Sequence, residues 1–516
     1  MSFESTRSGT LARAAGTVMA AFLLSRALGL AREVVIGATF GTSRELDAYL
    51  AAFRVPDLLF QIIAGGALAS AFLPVFSERL IDGRTRAAWR LGSAVANLVL
   101  LATLAAAGLA AASAPMLIRE LIAPGFEPAA QVLAADLMRL MLASTAIFAV
   151  SGLAMAALNA HGDFLVPALA PAIYNLAIIG GAVFLSPAWG IYGLAVGVVV
   201  GAAAHLLIQM PLLVRRGMTY RPILGLGDPA VRTVGRLMAP RALGLAGVQL
   251  NFMVNTILAS GLAPGSLAAL NYAWLLMLLP QGIVAQGVAT AAFPALSRLA
   301  ARADRIGLRR TLALSLRMVW FLTLPASAGL LILREPLVRL LLERGEFGAD
   351  STQAVAYALQ FFAVGLVAHA TVEILARAFY ALQDTRTPVA VGIAGVALNI
   401  VLSVSLVGPL GHGGLALANT LATWMEMVAL VVLLSRKFDG LPVGELSASG
   451  ARLVLATGAM GAALAVFRSV SGPNPVAVIA GGGIFLGAVV YLGIAAFLNS
   501  RELWAWLRRS REAEGL

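Results

Sequence analysis

The sequence predicts an all-α polytopic membrane protein, with about fourteen transmembrane helices in two six-helix pseudo-symmetric lobes followed by a C-terminal helix pair. Three observations predict it. Of 516 residues, 60% are hydrophobic and only 12% charged, against roughly 25% charged in a soluble chain. Apolar runs of ~20 residues recur from end to end, each long enough to cross the ~30 Å hydrocarbon core as a helix. The chain also repeats itself. The phrase RALGLA stands at 26–31 and again at 241–246. QIIAGGALASAFLPVFS (61–77) lies over QGIVAQGVATAAFPALS (281–297) at an offset of 220, which sets Gln61 on Gln281 and Pro74 on Pro294. ALNAHGDFLVP (157–167) lies over AFYALQDTRTP (378–388) at an offset of 221, which sets Asp163 on Asp384 and Pro167 on Pro388. Matches that keep the same order are a duplication rather than low complexity.

The spans follow in order as long apolar runs closed by charge or by Pro/Gly clusters. The first, 11–38, succeeds a polar decapeptide. It is too long for a signal-peptide core and no small-residue cleavage site follows, so its retention is expected. The second, 46–76, ends at a connection bearing Arg79, Arg84, Arg86 and Arg90. Spans 91–118 and 130–159 come next; the turn-like HGDFLVP leads into 164–185, and SPAWG (186–190) leads into 190–214. A basic linker, 215–232, carries Arg215, Arg216, Arg221 and Arg232. The second lobe runs 233–262, 265–297, 311–333, 352–382, 387–408 and 413–435. Two spans without a repeat partner, 450–471 and 475–499, precede a tail with Arg508, Arg509 and Arg511. The domain organisation is thus an N-terminal lobe (1–214), a linker (215–232), a C-terminal lobe (233–435) and an extra pair with a basic tail (436–516). Six spans per copy is an even number, so both copies run through the membrane in the same sense. They are expected to be related by an axis along the membrane normal, with a site at the midplane between them.

The formal net charge is +12, and its distribution argues against nucleic acid as a partner. The connections at 79–90, 215–232 and 298–310 are rich in arginine. SPAWG, APG (263–265) and 334–350, where four acids offset three arginines, are not. Alternation of this kind is the positive-inside pattern, and it places both termini in the cytoplasm. The chain has no cysteine, which removes disulfides, thiolate metal sites and cysteine nucleophiles. No phosphate-binding loop, metal-ligand cluster or nucleophile motif occurs in a loop long enough to fold around a soluble substrate. The expectation is a transporter and not an enzyme, with no catalytic residue, resident metal or cofactor. The energy source is left open between membrane potential and a coupling cation.

Candidate functional residues are the charges that lie where lipid is expected. A charge at the bilayer centre costs at least ~2.5–3.5 kcal/mol, so such residues usually face a bundle interior or a wet cavity. The first span carries Ser25, Arg26, Arg32 and Glu33, with Arg26 and Glu33 seven apart and hence on one face. The second carries Asp47, Arg54, Asp57 and Gln61 at spacings of seven, three and four, a single polar stripe. The tenth carries His369, Glu373, Arg377, Tyr380 and Asp384 at four, four, three and four. Asn251 and Asn255 mark the seventh span, and Gln281 repeats Gln61 in the eighth. The functional reading is a hydrated cavity offering Arg26, Arg32 and Arg54 to a phosphate, whose oxygens match the planar guanidinium fork. The alternative is that these arginines pair with Glu33, Asp47 and Asp57 or pin helix ends at the interface. Asn255 and Asp384 are candidate cation ligands, although an aspartate with a proline four residues on reads first as a helix cap.

Several stretches resemble the MurJ (MviN) family of lipid II flippases, within the multidrug/oligosaccharidyl-lipid/polysaccharide exporter superfamily. They are SRALGLAREVVIGATFG (25–41), DAYLAAFRVPDLL (47–59), GALASAFLPVFSE (66–78), APGF (123–126), NAHGDFLVPALAPAIYN (159–175), ERGEF (343–347) and RAFYALQDTRTPV (377–389). The span count agrees with the fourteen of that family, and the two similar six-span bundles suggest alternating access. The resemblance implies a bacterial cytoplasmic membrane. It implies movement of the undecaprenyl-pyrophosphate-linked peptidoglycan precursor, lipid II, from the inner to the outer leaflet. It also implies that arginines corresponding to Arg26 and Arg32 line the cavity, and that membrane lipids and the cell-wall synthesis machinery are partners. The chain departs from the family pattern at Gln61, where a basic residue is frequent, and at Gly65, where an acidic one is. In the eighth span, Trp274, Leu275 and Leu278 replace an expected Asp-Arg pair and a Glu. These departures leave open an exporter of another lipid-linked oligosaccharide or a drug, or a transport-inactive cell-wall scaffold.

Overall fold

A computed structural model of the chain describes residues 2–503 apart from 65, 439, 441, 473, 499 and 501. Gly65 and the tail arginines Arg508, Arg509 and Arg511 lie outside the described residues. In hydrocarbon every backbone polar group must find its partner within the protein, which leaves the helix as the spanning element for a chain of this composition. Among the described residues, eleven segments are long and apolar enough to cross a membrane. One of them, Arg386–Lys437, is two helices that meet at Gly411. With Ser2–Phe40 and Pro229–Ser260, the helices fall on all fourteen segments expected from the sequence.

The helices are α1 (Ser2–Phe40), α2 (Arg44–Ile81), α3 (Thr85–Ala112), α4 (Pro128–Ala160), α5 (Leu165–Trp189), α6 (Ile191–Arg215) and α7 (Pro229–Ser260). They continue as α8 (Ser266–Ala301), α9 (Arg305–Ile332), α10 (Ala349–Ala381), α11 (386–410), α12 (412–437), α13 (Val443–Val470) and α14 (Val476–Phe497). Side-chain caps set several starts. Ser43 Oγ accepts from the Leu46 amide at 3.2 Å, Asp228 from Ala230 at 2.9 Å and Asp304 from Gly307 at 2.9 Å, each satisfying an amide that has no partner inside its helix. The third helix ends at Ala112 rather than at the expected 118. Pro115 opens a short helix at Ala114–Met116, and a π-helical turn follows over Leu117–Ile122. Two more π-helical turns, at Phe60–Ala64 in α2 and Gly181–Leu185 in α5, have no sequence signal of their own.

The duplication is written into the helix ends. α3 and α9 both have 28 residues and start and stop 220 residues apart; α4 and α10 both have 33 and do so at 221. By contact, the chain forms two compact units, Met1–Gly265 with Arg344–Phe347, and Ser266–Glu343 with Gly348–Leu516. The first unit is packed around Phe72, Phe76, Trp89, Leu91, Leu153 and Leu158, where α2, α3 and α4 meet. Within it α5 and α6 cross closely enough that a Cβ built on Gly193 would stand 2.5 Å from the Ser186 nitrogen, the small-residue packing expected where lipid supplies no hydrophobic drive between helices. Glu346 donates its amide to the Ala38 carbonyl at 2.9 Å, so the GEF of ERGEF closes over the end of α1. The second unit has a core of Leu296, Leu312, Val319, Leu375, Phe379 and Leu430. A separate cluster of Phe321, Leu453, Met460, Leu464 and Tyr491 docks α13 and α14 on α9, and Tyr491 Oη donates to the Phe321 carbonyl at 2.7 Å.

Candidate functional site

The polar residues of α1 are organised by α5. Asn175 donates from Nδ2 to the Ser25 carbonyl at 3.3 Å and accepts from Arg32 Nη1 at 3.1 Å. Arg32 turns its other edge to Glu33, with Nε 3.1 Å from the carboxylate. Both partners are largely buried, their side chains 27% and 14% exposed. This guanidinium is therefore committed to protein acceptors. Arg26, two turns earlier, is exposed and has no partner among the described residues. The sequence spacing points Glu33 at Arg26; the structure gives Glu33 to Arg32 instead.

The stripe on α2 meets α7. Arg54 is half-buried, donates from Nε to Thr256 Oγ1 at 2.8 Å, and lies over the Phe252 ring with its guanidinium carbon 5.5 Å from the centroid. Among the described residues no carboxylate forms an ion pair with it, and its two terminal nitrogens have no partner. Asp57, one turn on, accepts from Gln249 Nε2 at 2.6 Å. Residues 249, 252 and 256 fall on one face of α7, so this helix supplies the neutral complement to the α2 stripe. Asn251 and Asn255 each bury an amide oxygen with no partner among the described residues. Asp47 is 2% exposed and accepts from the Gly265 amide at 2.7 Å, which makes it a tie between α2 and the segment after α7. Gln61 is half-buried in the π-helical turn of α2.

The second unit carries a different array. Glu373 accepts from Arg377 Nη2 at 2.8 Å on α10, and Arg377 reaches Thr290 Oγ1 of α8 at 3.1 Å. His369 Nε2 lies 3.1 Å from Asn419 Oδ1. Trp274 is edge-on to Phe362 and to His369, with centroids 5.3 and 5.4 Å apart. An aromatic wall thus stands where the resemblance implies charge. Gln281 buries its amide oxygen without a partner among the described residues. Asp384 lies in the turn between α10 and α11, where it caps through the Thr387 amide at 3.0 Å and hydroxyl at 2.6 Å and pairs with Lys437. The hydrogen bond from Lys437, and then those from Thr387, hold its carboxyl well below the usual carboxylate range.

The structure therefore joins Ser25, Arg32 and Glu33 through Asn175, and ties Arg54 and Asp57 separately to α7. Arg26 stands apart from both groups, Asp47 ties a loop, and Gln281 and Glu373 belong to the second unit. Sequence reasoning missed Asn175, Gln249, Phe252 and Thr256. They are uncharged and lie far along the chain from their partners; the 249/252/256 spacing is the one signal that could have found three of them.

The family model described as lipid II flippase MurJ matches residues 36–479. A probable lipid II flippase MurJ of Vibrio cholerae is 32% identical over 438 residues, covering 83% of each chain. The lipid II flippase MurJ of Burkholderia cenocepacia is 33% identical over 437 residues, covering 83% of this chain and 84% of that one. A solved lipid II flippase MurJ in an inward closed conformation superposes with a TM-score of 0.80 at 26% identity, over 93% of this chain and 98% of that one. An inward-facing multidrug resistance transporter of the MATE family and MOP superfamily gives 0.68 at 16% identity, over 82% and 98%. At that identity the likeness is one of fold alone.

Proposed function

This chain belongs to the lipid II flippase MurJ family, a family of membrane transporters and not of enzymes, and from that premise we propose that it moves an undecaprenyl-pyrophosphate-linked peptidoglycan precursor, lipid II, from the inner to the outer leaflet of the bacterial cytoplasmic membrane by alternating access. Both termini face the cytoplasm in this reading, as the arginine-rich connections favour.

The observation that carries the proposal is the contrast among the three arginines of the first unit. Arg32 spends its donors on Glu33 and Asn175. Arg54 is held at Nε by Thr256 and, among the described residues, keeps both terminal nitrogens for another acceptor. Arg26 is unpartnered among the same residues. A pyrophosphate takes paired N–H donors from such a fork in short, charge-assisted bonds. Arg26 and Arg54 are accordingly assigned to the pyrophosphate, and Arg32 with Ser25, Glu33 and Asn175 to holding α1 against α5. Asp57 and Gln249 keep α7 beside Arg54.

The test is rescue of a flippase-depleted bacterium together with lipid II translocation in proteoliposomes. The Arg26→Ala/Arg54→Ala chain is expected to insert normally and to fail in both assays; full rescue by it overturns the assignment. A second reading is favoured by Trp274, which sets an aromatic side chain where the family pattern has charge. It is that the cargo is a different polyprenyl-pyrophosphate-linked saccharide. Competition between lipid-linked saccharides in the same proteoliposomes separates the two.

A further inference from the structure

The third helix of each half has one face that is covered differently in the two units. On α9 this face carries Ala313, Arg317 and Trp320. Arg317 reaches Glu445 of α13 at 3.8 Å and Glu502 beyond α14 at 3.5 Å, and Trp320 packs against the cluster that docks the extra helix pair. The residues 220 positions earlier, on α3, are Ser93, Asn97 and Leu100. Here the linker after α6 takes the place of the helix pair, and it is strapped down. Asn97 donates from Nδ2 to the carbonyls of Arg221 at 3.0 Å and Ile223 at 2.9 Å, and accepts from Tyr220 Oη at 2.8 Å. Ser93 Oγ accepts from the Arg221 amide at 3.1 Å. Gly225, at φ +58°, presses so close to α3 that an added Cβ would stand 2.8 Å from the Ala94 methyl.

Beneath this strap lies a cavity of about 370 Å³, within the size range of small-molecule sites. Leu153, Leu206 and Leu213 line it together with the small Ala96 and with Met218 and Tyr220 of the strap. Trp89 forms another part of the lining. It is 5% exposed, and its indole N–H has no acceptor among the described residues. Arg90 follows Trp89 in the chain and Arg221 follows Tyr220; both are exposed. Arg221 is bonded through its backbone to the lining residues Ser93 and Asn97, and Arg90 lies close enough to Asp228 to help Arg79 lower its carboxyl against the effect of burial. An apolar slot beside such exposed arginines matches a chain that ends in a negative head, and basic pockets between helices on the cytoplasmic side are suited to anionic lipids.

We propose that this cavity is a binding site for an anionic phospholipid. One acyl chain fills the space that α13 fills against α9, and the phosphate lies at Arg90 and Arg221 with its ester oxygens within reach of Trp89. The lipid completes the packing of α3 and fixes the linker, and through it the start of α7, whose Asp228 cap is held by Arg79 Nη2 at 3.0 Å.

The test is native mass spectrometry of the full chain released from nanodiscs of phosphatidylglycerol or phosphatidylcholine. Wild type is expected to retain phosphatidylglycerol in preference to phosphatidylcholine by about 25-fold, two arginines each contributing roughly a fivefold attraction. Arg90→Gln/Arg221→Gln alters only exposed side chains and is expected to bring the preference close to unity. Ala96→Phe fills the cavity and is expected to abolish retention of both lipids. Equal retention of the two lipids by wild type, or unchanged preference in the double arginine variant, overturns the proposal. So does a folded Ala96→Phe chain with undiminished lipid, a polypeptide co-purifying at the site, or displacement of phosphatidylglycerol by a polyprenyl phosphate.

Discussion

The corner between α5 and α6 and the corner between α11 and α12 are the same structure built 221 residues apart. Gly190 adopts φ 55°, ψ −139°, and Gly411 adopts φ 54°, ψ −137°. An added Cβ on Gly193 would meet the Leu185 carbonyl carbon at 2.6 Å; one on Gly414 would meet the Leu406 carbonyl carbon at 2.6 Å. Asp163 pairs with Arg216, and Asp384 pairs with Lys437. The helix interiors do not agree in this way. Arg54 lies over Trp274 and Asp57 over Met277 at the 220 register, and Phe148 lies over His369 at 221. Phe148 packs among Phe60, Tyr174 and His205, whereas His369 lies against Trp274 and Asn419. Where backbone geometry admits one solution the duplication has kept it. Where side chains face other side chains the halves have diverged, and the arginine fork has stayed on one side.

If that divergence is functional, moving one half's residue into the other should damage activity without damaging the fold. Arg54→Trp copies the second half into the first. It is expected to lower translocation of the proposed lipid II cargo by about 30- to 150-fold, the loss of a charge-assisted hydrogen bond worth ~2–3 kcal/mol, with thermal unfolding in detergent nearly unchanged. Trp274→Ala is expected to behave in the opposite way. It removes packing against Phe362 and His369 and costs about 2 kcal/mol of stability, below the ~3–5 kcal/mol of a fully buried tryptophan, while translocation stays within a few-fold. An equal loss of translocation in the two variants would place the cargo against both halves and break the comparison.

The shared corners make a smaller and more symmetrical prediction. Gly193→Ala and Gly414→Ala each force a methyl into neighbouring backbone, so each is expected to destabilise its own unit by ~1–3 kcal/mol, the usual cost of overpacking. Thermal unfolding of the two single variants measures it. A marked inequality would show that one corner can relax where the other cannot.

The same contrast explains how much of the molecule was legible in the sequence. The fourteen spans were readable because a bilayer fixes their length and composition, and the repeat was readable because Gly, Pro and Asp at corners answer to backbone angle and capping. The interiors were readable only in part. A lone charge such as Arg26 or Arg54 stands out in an apolar run, but its partner does not. Asn175 lies 143 residues from Arg32, and Thr256 lies 202 from Arg54, both neutral and of types that occur throughout such helices. The π-helical turn that holds Gln61 was not legible because it depends on how α2 is accommodated by its neighbours. The strap at 216–228 was legible as a basic linker but not as a bound one, since its anchors are a serine and an asparagine on another helix.

The smallest effect belongs to the paired aspartates, and pH sharpens it. Both ion pairs are partly exposed, with side-chain exposures of 43% and 20% for Arg216 and Asp163 and of 42% and 16% for Lys437 and Asp384. Pairs of this kind contribute about 0.2–1 kcal/mol, so Asp163→Asn and Asp384→Asn are each expected to lower the unfolding temperature slightly and by similar amounts near neutral pH. For Asp384 the sign of the pH dependence follows from its depressed carboxyl, held down by Lys437 and then by Thr387. A carboxyl that is more acidic in the folded chain than its unfolded value of ~3.9 contributes fully above that value and loses its contribution as the pH falls through the folded one. The gap between wild type and Asp384→Asn should therefore be constant above about pH 5 and close progressively below about pH 4. A gap that persisted undiminished at the lowest pH at which the chain stays folded would mean that the Asp384→Asn substitution disturbs the turn by shape, and that the Lys437 pair is not what ties α12 to it.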